Sequence, residues 1–259
     1  MTAAILPVWG KESEAMVVSK SPAATVVLVH GARAGAWCWS LVCDGLDARG
    51  IEHLAVDLPT VGFDVDPTLN FHADATYVRG LLDDLDRPVL LCGNSYGGLV
   101  ITEASAGHPR VARLVYLAAL MPDAEDDLLT LVAESCTPQF LAAASFTDDG
   151  LFAIDPEMQR ELSLHQSPPD VAAWAVAQAR PMAMATEGRL TVTAVGWRGI
   201  PSTYVVSTDD RAIQPEVQRR WAAERATDSV ELPFDHSPHL SHPAEIAELL
   251  ALLATAAVE

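Results

Sequence analysis

The sequence predicts an α/β fold: a mostly parallel central sheet flanked by helices, with a helical cap inserted between two of its strands. Three observations carry this. Strand-like and helix-like segments alternate from Thr25 to about Leu120, and again from about residue 200 to the C-terminus. That order gives parallel strands joined by right-handed crossovers. Val89-Leu90-Leu91-Cys92-Gly93-Asn94-Ser95-Tyr96-Gly97-Gly98 sets a tight small-residue turn between an apolar strand and a helix. Between residues 121 and 199 the alternation lapses, and so long an insertion between sheet strands usually serves a function.

The elements follow in order. Residues 1–24 are weakly patterned, with Ala15-Met16-Val17-Val18 as one short strand, and they form an extension to which no role is assigned. Thr25-Val26-Val27-Leu28-Val29 is a continuous β-branched run, as a strand buried on both faces requires. It ends in His30-Gly31-Ala32 and a small-residue loop through Trp37. Trp39 to Arg49 has helical spacing and stops at Gly50. Glu52 to Val56 is the next strand, closed by Asp57-Leu58-Pro59. A helix over about 72–86 leads to Arg87-Pro88 and the turn around Ser95. Val111 to Leu120 supplies another apolar strand.

From Met121-Pro122 to Gly199 no convincing strand stands out. Ala-rich helical patterns are broken there by Pro138, Pro156, Pro168-Pro169 and Pro181, which reads as a helical cap. Pro201 to Ser207 resumes the sheet, a helix over about 214–226 follows, and Ser229 to Leu232 is the last strand. The closing helix runs from about Pro243 to Ala254. No repeat or linker divides the chain, so residues 1–259 are expected to form a single domain: a core over about 25–120 and 200–259, and a cap over about 121–199.

Composition sets outer bounds. Half of the 259 residues are hydrophobic, enough for one large core. The formal net charge of −19 argues against nucleic acid and anionic membrane surfaces as partners. The start shows no charged segment followed by an apolar one, and no apolar run is long enough to span a bilayer. Cys38, Cys43, Cys92 and Cys136 form no C-x-x-C pair. A reduced, cytoplasmic protein is the expectation.

The chemistry centres on Ser95. Gly93 and Gly97 flank it at two residues on either side, the G-x-S-x-G spacing. A strand that turns sharply into a helix throws the central side chain out at the top of the sheet, where flanking Cβ atoms would collide. Ser95 is expected in a strained conformation, at a helix N-terminus whose free N–H groups stabilise a developing oxyanion. A serine hydroxyl needs a base to take its proton, and that base needs a carboxylate to hold its tautomer. The order along the chain should be serine, acid, histidine. His236 is the first histidine after the last strand and is the preferred base over His239 and His242, which are expected on exposed loop or cap surfaces. For the acid, Asp209 and Asp210 compete, and position alone leaves both open. In the cap, Phe140, Phe146, Phe152, Trp174, Met182 and Met184 offer an apolar lining, although more than half are expected to form the cap's own core.

These stretches together resemble the α/β-hydrolases, and within them the branch of methyl-salicylate-type esterases, bacterial carboxylesterases and hydroxynitrile lyases. The matching residues are Val27-Leu28-Val29-His30-Gly31-Ala32 with Gly35-Ala36-Trp37-Cys38-Trp39, then Gly93 to Gly98, Asp210-Arg211-Ala212-Ile213, and His236-Ser237-Pro238-His239-Leu240-Ser241-His242-Pro243. The resemblance selects Asp210 as acid and His236 as base. It implies an oxyanion hole from the backbone N–H groups of Ala32 and Tyr96. It also separates esterase from lyase. The plant lyases carry Thr where this chain has Gly31 and Lys where it has Ser237, and both departures point to ester hydrolysis.

The expected activity is a serine carboxylesterase acting on small, largely apolar esters or lactones, with no metal or cofactor. His30, Asp57 and Asn94 are expected to be structural. The partner is a small-molecule ester, with neither nucleic acid nor membrane, and a homodimer is compatible. Lyase-like, carbon–carbon hydrolase or biosynthetic chemistry on the same residues, or receptor-like binding with little turnover, remain the alternatives.

Overall fold

The structure is a computed structural model that describes residues 23–185 and 190–258; the short strand expected at Ala15–Val18 lies outside the described residues. The first half of the chain alternates as expected. Strand β1 (Thr25–Val29) leads through a single 3-10 turn (Ala36–Trp39) to helix α1 (Ser40–Asp47). Then come β2 (His53–Val56), α2 (Phe71–Asp83), β3 (Val89–Asn94), α3 (Gly97–Ala104) and β4 (Val111–Leu117). Asn70 caps α2 by accepting the His72 N–H at 3.0 Å, one of the four donors a helix start leaves unmet.

The inserted region holds α4 (Leu128–Ser135), α5 (Pro138–Ala143), strands β5 (Ala144–Phe146) and β6 (Phe152–Ile154), α6 (Pro156–Ser163) and α7 (Pro169–Gln178). Of the prolines that interrupt the helical pattern in the sequence, Pro138, Pro156 and Pro169 begin helices here, where a missing N–H costs nothing. The all-helical expectation for this region needs correction, because β5 and β6 pair as an antiparallel ribbon. Each strand has three residues, too short to show a period of two. The connecting Thr147-Asp148-Asp149-Gly150 turns on Gly150 at φ +79°, a conformation glycine adopts without strain.

The last segment supplies β7 (Ser202–Ser207), α8 (Pro215–Arg225), β8 (Asp228–Leu232), a short helix α9 (Pro238–Ser241) and α10 (Pro243–Ala256). The six main strands form one parallel sheet in the order β2-β1-β3-β4-β7-β8. β1, β3 and the inner part of β4 are buried on both faces, so their sequences are unbroken apolar runs. One core lies under α2, α3 and α8 and continues into the cap, and the other lies under α1 and α10. Ala23 and Ala24 are buried in the second core, and the Ala24 N–H donates to Ala254 O at 2.9 Å. Among the described residues no helix is long and apolar enough to cross a membrane.

Helix α3 rests closely on the chain that leaves β4. A Cβ at Gly98 would stand 2.2 Å from Leu120 O, backbone that cannot yield, and 2.7 Å from Ala119 Cβ. Gly98→Ala should therefore lower stability by about 3 kcal/mol, seen as an earlier midpoint in urea unfolding. An unchanged midpoint would mean the helix rests less closely on the sheet.

Candidate active site

The chain leaves β1 toward β2 on one side and returns to β3 on the other, so the C-terminal ends of β1 and β3 mark the point where the sheet's direction of winding reverses. Open α/β sheets place ligands at such a point. Ser95 sits there, at the end of β3, with φ +52°, a left-handed conformation that serine rarely adopts. Glycines hold it in place. A Cβ at Gly93 would meet Gly97 O at 2.5 Å, and one at Gly97 would meet Val29 O at 2.6 Å. The strand and helix close to this distance only because neither residue has a side chain. Ser95 O accepts from Leu120 N at 3.0 Å and from Gly98 N at 3.1 Å, pinning the strained residue to β4 and α3.

Asp210 and His236 arrive from the loops after β7 and β8. The structure brings both to Ser95: His236 Nε2 lies 2.9 Å from Ser95 Oγ, and His236 Nδ1 lies 2.8 Å from Asp210 Oδ2. An ionised carboxylate only accepts, so Nδ1 carries the proton and Nε2 presents its lone pair to the serine hydroxyl. Asp210 is buried and fully engaged. Its Oδ1 accepts from Ala212 N at 2.7 Å and Ile213 N at 2.9 Å, while its Oδ2 also accepts from Gln218 Nε2 at 2.7 Å. Asp209 turns the other way and accepts from Gln166 Nε2 at 2.9 Å. The geometry thus resolves the two adjacent aspartates. Burial alone would lower the His236 pKa. The charge and hydrogen bond of Asp210, with the Asp235 carboxylate nearby, outweigh it and hold the value above that of an ordinary histidine.

Ala32 and Tyr96 flank the same cavity as Ser95, and among the described residues neither backbone N–H has a protein acceptor. Beneath them, His30 is buried. Its Nδ1 bonds Gly31 O at 2.8 Å and its Nε2 accepts Leu58 N–H at 3.1 Å, so it braces the loop. Burial lowers its pKa to about 4, against the smaller pull of Gly31 O and Asp57, which keeps it neutral. Asp57 Oδ1 accepts Ala36 N–H at 2.8 Å, and Asn94 Nδ2 donates to Leu117 O and His236 O at 2.9 and 3.2 Å. All three serve the architecture. Among the described residues, no three His, Cys, Asp or Glu side chains are grouped to hold a metal ion.

Four supporting residues escape sequence reasoning. Gln218, on α8, is fully buried and ties Asp210 to Ser207 N–H. Asp74, on the buried face of α2, accepts Tyr96 OH at 2.6 Å and Thr60 Oγ1 at 2.7 Å, steadying the residue after the serine. A lone Asp among the apolar positions of α2 was the available signal. Gln166, between α6 and α7, exchanges two backbone–side-chain bonds with Asp235, each 3.1 Å long, and reaches Pro233 O at 3.2 Å. Nothing in its sequence context marks it. The fourth is His239, and here expectation needs correction. It is buried at 3% exposure, lining a cavity beside Ser95 with its ring tilted over Trp39. His242 is half-buried and stacks on Phe234. The one-turn helix α9 folds both back toward the core.

An apolar chamber opens over Ser95, walled by Leu120, Val132, Phe140, Phe152, Met184 and Ile213 among others. Of the six cap residues singled out in the sequence, Phe140, Phe152 and Met184 thus line it. Met182 is buried away from it, and Phe146 and Trp174 are exposed, the latter with its ring edge-on to Trp37. A neighbouring apolar cavity shares Tyr96, Leu120, Val132 and Met184 with it and is lined further by Leu128, Leu129 and Leu190.

The model of the alpha/beta hydrolase family matches residues 26–249, so this chain belongs to that family. Among curated relatives, the putative chloroplastic methylesterase 14 of Arabidopsis thaliana is 27% identical over 93% of this chain and 74% of its own length. The alpha/beta hydrolase nvfD of Aspergillus novofumigatus is 29% identical over 90% of this chain and 98% of its own. Among solved structures, a pyrethroid hydrolase superposes with a TM-score of 0.77 at 26% identity, covering 92% of this chain and 99% of its own.

The raised His236 pKa gives a direct test. Followed by NMR of the imidazole protons, His236 should titrate above 6.5, the ordinary value. In Asp210→Asn the charge is gone while burial remains, so the midpoint should fall below that value. A midpoint unmoved by the substitution would break the assigned coupling.

Proposed function

We propose that this chain is a serine carboxylesterase that hydrolyses small, largely apolar esters or lactones through an acyl-enzyme on Ser95. One observation carries the proposal: the continuous contact from Ser95 Oγ through His236 to the buried Asp210, at 2.9 and 2.8 Å, beneath an apolar chamber. The methylesterases and the pyrethroid hydrolase among its relatives support it.

In the reaction, His236 Nε2 takes the Ser95 proton as Oγ attacks the ester carbonyl. Asp210 keeps the ring in the required tautomer and stabilises the imidazolium that forms. The Ala32 and Tyr96 N–H groups receive the developing oxyanion, and a hole of this kind is worth about 3 kcal/mol per donor. His236 then protonates the departing alcohol. Water enters and gives its proton to the same nitrogen as it attacks the acyl carbonyl; the bond to Ser95 Oγ then breaks, His236 returns the proton to that oxygen, and the acid leaves. A Cβ at Gly31 would stand 3.1 Å from Ser95 Cβ, so glycine there leaves room for the tetrahedral centre. For the compartment, four free thiols support a cytoplasmic setting. Neither nucleic acid nor a membrane enters the proposal.

The test is multiple-turnover hydrolysis of p-nitrophenyl acetate and butyrate. Ser95→Ala and His236→Ala should each lose about 10³-fold or more in kcat, and Asp210→Asn about 10⁴-fold. Wild-type rates no better than those of Ser95→Ala would overturn the esterase. The pH profile adds a second check. The base must be neutral and its pKa is raised, so kcat/KM should climb with pH along a limb centred above 6.5 and fall away below it. A limb centred lower would place the base elsewhere.

A further inference from the structure

Ser95 opens onto two spaces that differ in chemistry. The apolar chamber is walled by hydrocarbon. The second cavity shares Ala32, Ser95, Phe140 and His236 with it but continues to Gln159, Ser163 and His239. Two of the polar residues at its far side, His239 and Gln159, are held in a particular way.

His239 is buried, and among the described residues no group hydrogen-bonds its ring. Nδ1 is enclosed without a partner, which leaves Nε2 as the nitrogen a ligand can reach. Burial, with His236 and His30 nearby, lowers its pKa to about 3, so the ring is neutral. A proton on Nε2 leaves only a lone pair at the enclosed Nδ1 and makes Nε2 a donor. Trp39 fixes the ring plane from below, with centroids 4.5 Å apart. Gln159 is anchored from behind. Its Oε1 accepts Arg33 Nη1 at 2.9 Å, which determines the amide orientation and leaves the NH2 as the free end. Arg33 is itself buried, at φ +64° in the loop after β1, and its charge favours an electron-rich atom in front of the amide.

Resting on the esterase proposal above, we propose that His239 and Gln159 form a recognition site for an oxygen acceptor on one arm of the ester, a keto, ether or hydroxyl oxygen. The apolar chamber takes the other arm. The substrate class is then an asymmetric ester, hydrocarbon on one side of the scissile carbonyl and oxygenated on the other. A site that offers two donors discriminates against an analogue lacking the acceptor, because its own polar groups are left unpaired when that analogue binds.

Matched esters that differ by one oxygen for methylene test this. For the acyl arm the pair is p-nitrophenyl methoxyacetate and p-nitrophenyl butyrate; for the alcohol arm it is 2-methoxyethyl benzoate and butyl benzoate. The readout is the kcat/KM ratio of the oxygenated to the alkyl ester, compared between proteins so that intrinsic reactivity cancels. In His239→Phe, which keeps a ring on Trp39, and in Gln159→Leu, the ratio for one of the two pairs should fall about ten-fold. Ratios unchanged within about two-fold for both pairs in both variants overturn the recognition site while leaving the esterase intact. If the wild type hydrolyses none of the four esters faster than Ser95→Ala, the esterase itself fails and the recognition site with it. Should His239→Phe not fold, Gln159→Leu, on the cap helix α6, decides.

Discussion

The close approach of backbone to backbone around Ser95 is the constraint on which the site depends. Gly93, Gly97 and Gly98 let α3 come down onto β1, β3 and the chain leaving β4, with no side chain between them. The compression holds Ser95 at positive φ, an arrangement that persists only where surrounding contacts over-determine it. Its consequence is directional. The hydroxyl is lifted clear of the sheet toward His236, and among the described residues the N–H of Tyr96 is left without a partner.

Around that point the protein spends its buried polar groups on holding other polar groups. Asp210 is oriented by two backbone N–H groups and by Gln218, and only one of its oxygens is left to face His236. Asp74 does the same for the Tyr96 ring, and His30 for the loop that carries Ala32. Each of these groups is buried and each bond satisfies its partner, so the network is rigid without exposing charge to the apolar chamber. The site is therefore pre-formed around Ser95, with its geometry set by the two layers beneath it.

How much of this was legible in the sequence varies with the length of the pattern. β1, β3 and the inner part of β4 are long enough to show unbroken apolar runs, and the G-x-S-x-G turn names its own geometry. Ser95, Asp210 and His236 were each readable as candidates, because loops after particular strands are where such groups must stand. What stayed hidden depends on contacts between distant segments. Gln218 and Gln166 meet their partners only once α8 and the cap have packed, and nothing local in the chain announces it. His239 was misplaced because its environment is made by α9, a single turn of helix whose four residues carry no periodicity. The ribbon of β5 and β6 was missed for the same reason of length.

Gln166 stitches the cap to the strand-end loops that carry both Asp210 and His236, through four hydrogen bonds to Asp209, Pro233 and Asp235. Lifting the cap along that seam would unfasten the histidine loop in the same movement. A second apolar cavity, which shares Tyr96, Leu120, Val132 and Met184 with the chamber over Ser95, reaches exposed Leu129. The hydrogen bonds that seat the cap are thus the same ones that steady the loops holding the acid and the base, so the roof and the proton path share one fastening.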